Sequence, residues 1–335
     1  MIMAETRFFH IPRKGKVARL GSVSEALQFQ KKGEYVWIDL IDPVRETFDE
    51  LIEPFGIHQL SVEDCLDDDQ IPKTENFEKN TFVLFNCYNY TNEELTIDEI
   101  DFLVGANYLI TVRGFKALNP SFFDKLDEAV FRGMSEVNRG PDFLLQLILD
   151  YIVDKKFNVI ESIQEEVDRI EESILGEKPD FQPEHLMRLR STLLTLRKSL
   201  FNEREILIKI CRRDSPFVSE KAIYYFRDIY DHLAKFFEFI EINREQITSL
   251  MELHLSLTNA RMTQLSNQTN LVMKRLTAIT TVFMPLTLVS GIGGMSEWSM
   301  ITGPENWLIS YPVFFAAMAI LGWFNWWLLH KLEWI

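Results

Sequence analysis

Asn270, Met273, Thr277, Thr280, Met284, Thr287 and Gly291 follow alternating steps of three and four, so a helix through them would place all of them on one stripe. Their side chains are small, flexible or oxygen-bearing, and none is a carboxylate, an imidazole or a thiol. Such a set exchanges hydrogen bonds with water; it does not grip a bare metal ion or shuttle a proton. The intervening positions, among them Leu271, Val272, Leu276, Ile279, Val282 and Phe283, are bulky and apolar. A polar stripe on an apolar helix suits a water-contacting face, although helices packed through small residues give a similar pattern. A second chemical group is acidic: Glu161, Glu165, Glu166, Asp168, Glu171 and Glu172 surround a single Arg169. Such a run is ordinarily a solvated helix face, and in a multimer it could collect hard cations.

The stripe lies near the end of an exceptionally long helical stretch. Between Phe217 and Met284 there is neither glycine nor proline, so one unbroken helix is expected from Ser219 to Gly291, on the order of 100 Å long. Its first part is amphipathic, with Ile223, Leu233, Phe237, Ile240, Ile247 and Leu250 set among Asp228, Asp231, Glu238 and Glu245. Carboxylates cease after Asn259, and after Lys274-Arg275 no charge appears before Glu297. That uncharged run meets the ~20 residues a helical bilayer span requires. Pro285 within it has no N–H for the carbonyl of Thr281, a loss tolerable in lipid only where a neighbour or water replaces the bond. A second uncharged run, Asn306 to His330, carries Pro312 near its start and Trp323, Trp326 and Trp327 near its end, as an interfacial aromatic belt would. Lys274, Arg275 and Lys331 flank the pair, while the connecting loop holds only Glu297 and Glu305. By the positive-inside rule both termini are cytoplasmic.

The chain has 335 residues and a formal net charge of -15, which argues against nucleic acid as a partner and favours attraction of cations. Cys65, Cys87 and Cys211 are far apart, as reduced thiols in a cytosol would be. No glycine-rich phosphate loop, Ser/His/Asp grouping or paired His/Cys ligand spacing appears, so an enzyme is not expected, and the histidines read as ordinary surface or packed residues. Met1 to Lys16 has no long apolar core, so membrane insertion would depend on the C-terminal runs. Short β-branched or aromatic runs at Arg7–Ile11, Tyr35–Ile41, Thr81–Tyr90, Glu99–Val104 and Tyr108–Val112 alternate with helical patterns at Ser24–Gln30, Glu46–Phe55 and Ser121–Phe131. Asp98 to Arg113 reads as a hairpin turning at Gly105-Ala106-Asn107. The expected plan is an α+β cytosolic domain over 1–140, an acidic helical hairpin over 141–213 and the cytosolic part of the long helix over 214–270. A pore-lining first transmembrane helix at 271–292, an outer loop at 293–306, a second transmembrane helix at 307–330 and a cytosolic tail at 331–335 complete it.

This order of elements resembles the CorA family of divalent-cation (magnesium) transporters, and local strings carry the likeness. Tyr225-Phe226-Arg227-Asp228-Ile229-Tyr230-Asp231-His232 resembles the family's segment early in the long helix. Ser266-Asn267-Gln268-Thr269-Asn270-Leu271-Val272-Met273-Lys274 resembles its approach to the membrane, and Phe283-Met284-Pro285-Leu286-Thr287 with Ser290-Gly291-Ile292 its first span. The likeness covers nearly the whole chain. It departs at the outer mouth, where the family's Tyr-Gly-Met-Asn is replaced by Gly293-Gly294-Met295-Ser296, followed by Glu297. The amide taken to meet the hydrated ion is therefore missing, which leaves the choice of cation open.

The resemblance implies a funnel-shaped homopentamer in the cell's inner (plasma) membrane, with first spans around a pore and second spans outside. It further implies passive, membrane-potential-driven transport of Mg²⁺, with cobalt or nickel as further cargo, gated by cytosolic Mg²⁺. The regulatory ion would bridge subunits at Asp64, in Ser61-Val62-Glu63-Asp64, and at Asp228. The plainer alternatives there are an N-cap at Asp64 and a surface charge at Asp228. With the acidic run, the candidate metal residues are Glu63, Asp64, Asp168 and Asp228. Leu276, beside Thr277, matches an apolar gate. Oxygens of Gly293, Gly294, Ser296, Thr287, Thr280 and Asn270 would accept from the ion's water shell, with Glu297 attracting cations from outside. The rivals are a zinc or other transition-metal transporter on the same scaffold, and a non-conducting membrane-tethered scaffold or sensor. The absence of His and Cys from the stripe favours magnesium over softer metals.

Overall fold

The computed structural model describes residues 5–12, 17–67, 70–114, 120–136, 140–176, 182–294 and 303–331. Seven strands form one sheet in the order β2-β1-β3-β7-β6-β5-β4. They are β1 (Glu5–Ile11), β2 (Ala18–Leu20), β3 (Tyr35–Ile41), β4 (Thr74–Asn76), β5 (Asn80–Thr91), β6 (Glu94–Gly105) and β7 (Tyr108–Arg113). Among the described residues only β3 and β7 pair in parallel; the other neighbours are antiparallel. The central strands are buried on both faces, so their alternation sorts residues between two cores and does not separate core from solvent.

One core takes Val36, Ile38 and Leu40 of β3 with Ile110 and Val112 of β7. It is closed by α1 (Val23–Lys31), α2 (Arg45–Phe55) and α3 (Gln59–Leu66), chiefly through Phe48, Leu51 and Phe55. Tyr108 donates its hydroxyl hydrogen to the carbonyl of Phe55, joining the end of α2 to the sheet. The opposite face is covered by α4 (Pro120–Glu136) and α5 (Pro141–Leu175). There Asp39 accepts from Arg7, Arg113 (2.7 Å) and Thr111 (2.7 Å), and Arg7 reaches Asp127 of α4 at 2.7 Å. A buried carboxylate is tolerable when donors surround it in this way.

After α5, the chain returns as α6 (Pro183–Cys211) and continues as α7 (Glu220–Gly293). Prolines at the first position of α5 and α6 start both helices without sacrificing a needed N–H. Leu186, Leu189, Leu193, Leu196 and Leu200 form the buried side of α6, and Ala222, Phe226, Ile229, Leu233, Ile240 and Ile247 that of early α7. Between α5, α6 and the sheet, Lys156 and Glu203 form an ion pair with no solvent exposure of either side chain. By Cα proximity Met1–Met251 forms one unit and Glu252–Ile335 a second. The second contains the end of α7 and α8 (Trp307–Lys331).

Several expected strands begin or end as read, Tyr35–Ile41 at both ends. The hairpin turning after Gly105 is present as β6 and β7. Three short elements, β2, α3 and β4, were not expected. β6 begins at Glu94, five residues before the apolar run, because Asn92 and Glu93 take positive φ and turn β5 directly into a longer antiparallel partner.

Candidate functional site

Both α7 and residues Leu308–Lys331 of α8 contain windows long and apolar enough to cross a membrane. In their shared unit they contact each other in antiparallel order. A Cβ on Gly293 would collide with the Phe314 ring at 2.7 Å, and one on Gly322 would lie 3.5 Å from Leu286. Ala278 and Leu329, both buried, fall at the continuation of the same register. Glycine at 293 is thus a close-approach residue, letting an aromatic ring lie on the backbone.

Residues of α7 that are at least partly covered in this region are Ala278, Val282, Pro285, Leu286, Val289 and Gly293. At ~100° per residue, that face is roughly opposite Thr277, Thr280, Met284, Thr287 and Gly291. Asn270 and Met273 continue the exposed stripe, and all its members are uncovered in one chain. Leu276 and Thr277 are both exposed, so both remain available to a neighbouring copy. The hydroxyl of Thr280 donates to the carbonyl of Leu276 at 2.8 Å, that of Thr281 to Thr277 at 2.8 Å, and that of Thr287 to Phe283 at 2.9 Å. Each hydroxyl has spent its hydrogen inside the helix, so its oxygen faces outward as an acceptor. Acceptors are what the outward-pointing hydrogens of a hydrated cation require. Pro285 is inside α7 and adds the carbonyl of Thr281 to the groups lacking their helical donor. Gly294 closes the helix by donating to the carbonyl of Ser290 at 3.0 Å. Met295, Ser296 and Glu297 lie outside the described residues.

The acidic candidates are spread over the first unit. Glu63 is exposed on α3, and next to it Asp64 Oδ1 lies 2.8 Å from Lys73 Nζ. Asp64 is not a helix cap: His58 caps α3, accepting from the N–H of Leu60 at 3.2 Å. Asp168 is exposed on α5 and accepts from Gln164 at 2.9 Å. Asp228 is exposed on α7 and acts electrostatically on Asp150. Burial, followed by the Asp154 and Asp228 carboxylates, pushes Asp150 above the usual carboxylate range. A single chain therefore gives Asp64 a lysine partner and gives Asp228 repelling carboxylates, the situation a divalent ion relieves.

An acidic cavity of about 240 Å³ lies beside α3, with Asp42, Cys65, Asp67, Glu99, Asp101 and Arg113 in its wall. Burial, followed by Glu99, raises Asp101 well above the usual carboxylate range. Its contribution to stability is complete below the unfolded value of about 3.9 and is lost as pH rises through the folded value. Asp101→Asn, which imitates the neutral acid, is expected to flatten the decline of thermal stability toward alkaline pH. Parallel pH profiles for the variant and the natural protein would show that Asp101 does not titrate in this way.

Sequence spacing gave no sign of one further grouping. Glu93, Glu166 and His185, from the β5–β6 turn, α5 and α6, bring their ligand atoms within 4.8 Å of one another.

The family model described as CorA-like Mg2+ transporter protein matches residues 32–331. The chain is 33% identical over 308 residues to the cobalt/magnesium transport protein CorA of Thermotoga maritima, covering 90% of this chain and 83% of that protein. It is 29% identical to the putative metal ion transporter YfjQ of Bacillus subtilis, covering 87% and 90% of the two chains. The fold is similar to that of the complete CorA magnesium transporter from Methanocaldococcus jannaschii, with a TM-score of 0.69, 23% identity and full coverage of both chains. Together with the α/β layers, the long α7 and the apolar α8, these matches establish that the chain belongs to the CorA-like Mg2+ transporter family.

Proposed function

We propose that the protein carries hydrated divalent cations, magnesium foremost and cobalt or nickel as further cargo, through a pore made by a ring of α7 C-terminal ends. The observation that carries this reading is the acceptor-bearing stripe of α7, exposed and roughly opposite the face that meets α8. One such helix encloses nothing, so copies must assemble; a homopentamer with α8 toward lipid fits that arrangement. Residues 271–292 and 307–330 serve as the spans of a plasma-membrane protein with both termini cytoplasmic. The acidic segments before them, 1–140, 141–213 and 214–270, stand in the cytosol, where the charge of -15 draws cations. Thr280, Thr287 and Asn270 accept from the ion's waters, so that the shell is guided and not stripped. Gly293 and Gly294, at the end of α7, stand at the outer mouth in this reading.

Transport is passive. The membrane potential supplies about 2.3 kcal/mol per charge per 100 mV, hence about 4.6 kcal/mol for a divalent ion. Reconstitution into liposomes with separate magnesium-, cobalt- and zinc-sensitive dyes tests the assignment. Potential-driven magnesium influx is expected. No flux of any ion would favour a scaffold, and zinc flux without magnesium a transition-metal carrier.

Closure by cytosolic magnesium follows from Asp64 and Asp228 facing each other across subunits, with an ion relieving the repulsion that Asp228 already exerts on Asp150. Glu63 and Asp168, both exposed, are further acidic candidates for cation binding, apart from this pair. Asp64→Ala with Asp228→Ala is expected to keep uptake running at millimolar internal magnesium, where the natural protein closes. Closure identical to the natural protein's would remove both residues from the sensor.

A further inference from the structure

Where β5 turns into β6, Glu93 reaches across to the first turn of α6 and the later part of α5. His185 Nε2 bonds to Glu166 Oε1 and lies 3.4 Å from Glu93 Oε2. Glu166 is only 3% exposed, and its second oxygen, Oε2, accepts from the hydroxyl of Tyr90. Arg188 Nη2 approaches Glu93 Oε2 at 3.8 Å from the solvent side. Two carboxylates, one withdrawn from water, thus converge on a single imidazole nitrogen. A divalent ion placed between them would answer both negative charges and take the imidazole nitrogen as a ligand.

We propose that Glu93, Glu166 and His185 bind one transition-metal divalent cation of the zinc class. The donor set selects the metal: imidazole with carboxylates suits zinc, cobalt or nickel, whereas magnesium prefers a full set of oxygens. A tetrahedral zinc site holds its donor atoms about 3.3 Å apart, and these atoms already lie within 4.8 Å with one of the three on an exposed, adjustable glutamate. Tyr90 is a positioning residue. By occupying Glu166 Oε2 it fixes the carboxylate so that Oε1 points at His185, the outer-shell bond that metal-binding carboxylates use. Water completes the coordination from the solvent side. The bound ion joins the β5–β6 turn to both arms of the α5–α6 hairpin. It involves none of the stripe or sensor residues and stands independently of the transport reading.

The test uses the purified full-length chain in detergent with excess magnesium, which fills oxygen-rich sites without competing for an imidazole. Zinc is titrated by calorimetry, and the bound metal is read by zinc X-ray absorption. The expected result is one zinc per chain with an imidazole in its shell, weakened roughly tenfold or more by His185→Gln and by Glu93→Gln. Arg188→Gln, which removes a cation competing for Glu93, is expected to bind at least as tightly. Glu93 is exposed, so Glu93→Gln keeps the test open if the change at His185 impairs folding. Absence of this equivalent in the natural chain, or its survival with the imidazole signal in a folded His185→Gln variant, would overturn the assignment.

Discussion

Thr287→Trp is expected to reduce magnesium flux roughly a hundredfold or more, with the quantity of assembled protein unchanged, because an indole on the stripe would fill a ring-shaped passage from every copy at once. Thr287 is exposed, its hydroxyl bonded to the carbonyl of Phe283, whereas the contacts with α8 run through Leu286 and Gly293. Among the described residues, the indole therefore displaces no partner from α8. Leu271→Trp, on an apolar side of the same helix, is the control and should lower flux only modestly. Flux into liposomes at matched protein density checks both, with cross-linking to verify assembly. Equal losses at the two positions would mean that α7 does not present this stripe to the ion.

Glu203→Ala is expected to destabilise the first unit by about 3–5 kcal/mol, because it leaves Lys156 charged and alone in the interior. Lys156 has no exposed surface, and its ammonium lies 4.3 Å from the ring centroids of both Phe85 and Tyr88. Glu203 also accepts from the N–H of Asn86 at 3.1 Å and from the Tyr88 hydroxyl at 3.4 Å. Burial pushes Lys156 down and Glu203 up, and each partner opposes the other's shift. Removing Glu203 forfeits that compensation and takes an acceptor from the Asn86 N–H and the Tyr88 hydroxyl besides. Lys156→Met with Glu203→Leu removes both charges and should recover much of the loss. The midpoint of thermal unfolding of the full chain separates these outcomes. A single variant as stable as the natural protein would show that the interior tolerates an unpaired lysine.

The parts of this architecture that were legible in the sequence are those whose signal is local and long. An absence of glycine and proline marks α7, leucine spacing marks α6, and β-branched runs mark β3 and β7. Short elements give too few residues for a period: β2 and β4 have three each, and α3 begins with a histidine cap in place of the usual hydroxyl or carboxamide. The stripe could be read because all its members lie on one helix, and its periodicity needs no knowledge of neighbours. Glu166 could not. In the sequence it is one carboxylate in an acidic run, yet it is buried while Glu165 and Asp168 beside it are exposed. What distinguishes it is Tyr90 and His185, brought from a different strand and a different helix. Asp39 is similar: a lone acid in an apolar strand, explained only by arginines from β1 and β7.

The sheet ends on both sides in strands of three residues, Ala18–Leu20 and Thr74–Asn76, with Arg19 and Glu75 at their centres. Anchoring to a bilayer confines such sheets to a plane and raises the concentration at which they meet one another. Long apolar borders would then be templates for strands of adjacent molecules, fusing their sheets irreversibly. Borders this brief and charged provide too few backbone hydrogen bonds for that, so crowding on one membrane favours contacts that can be made and undone.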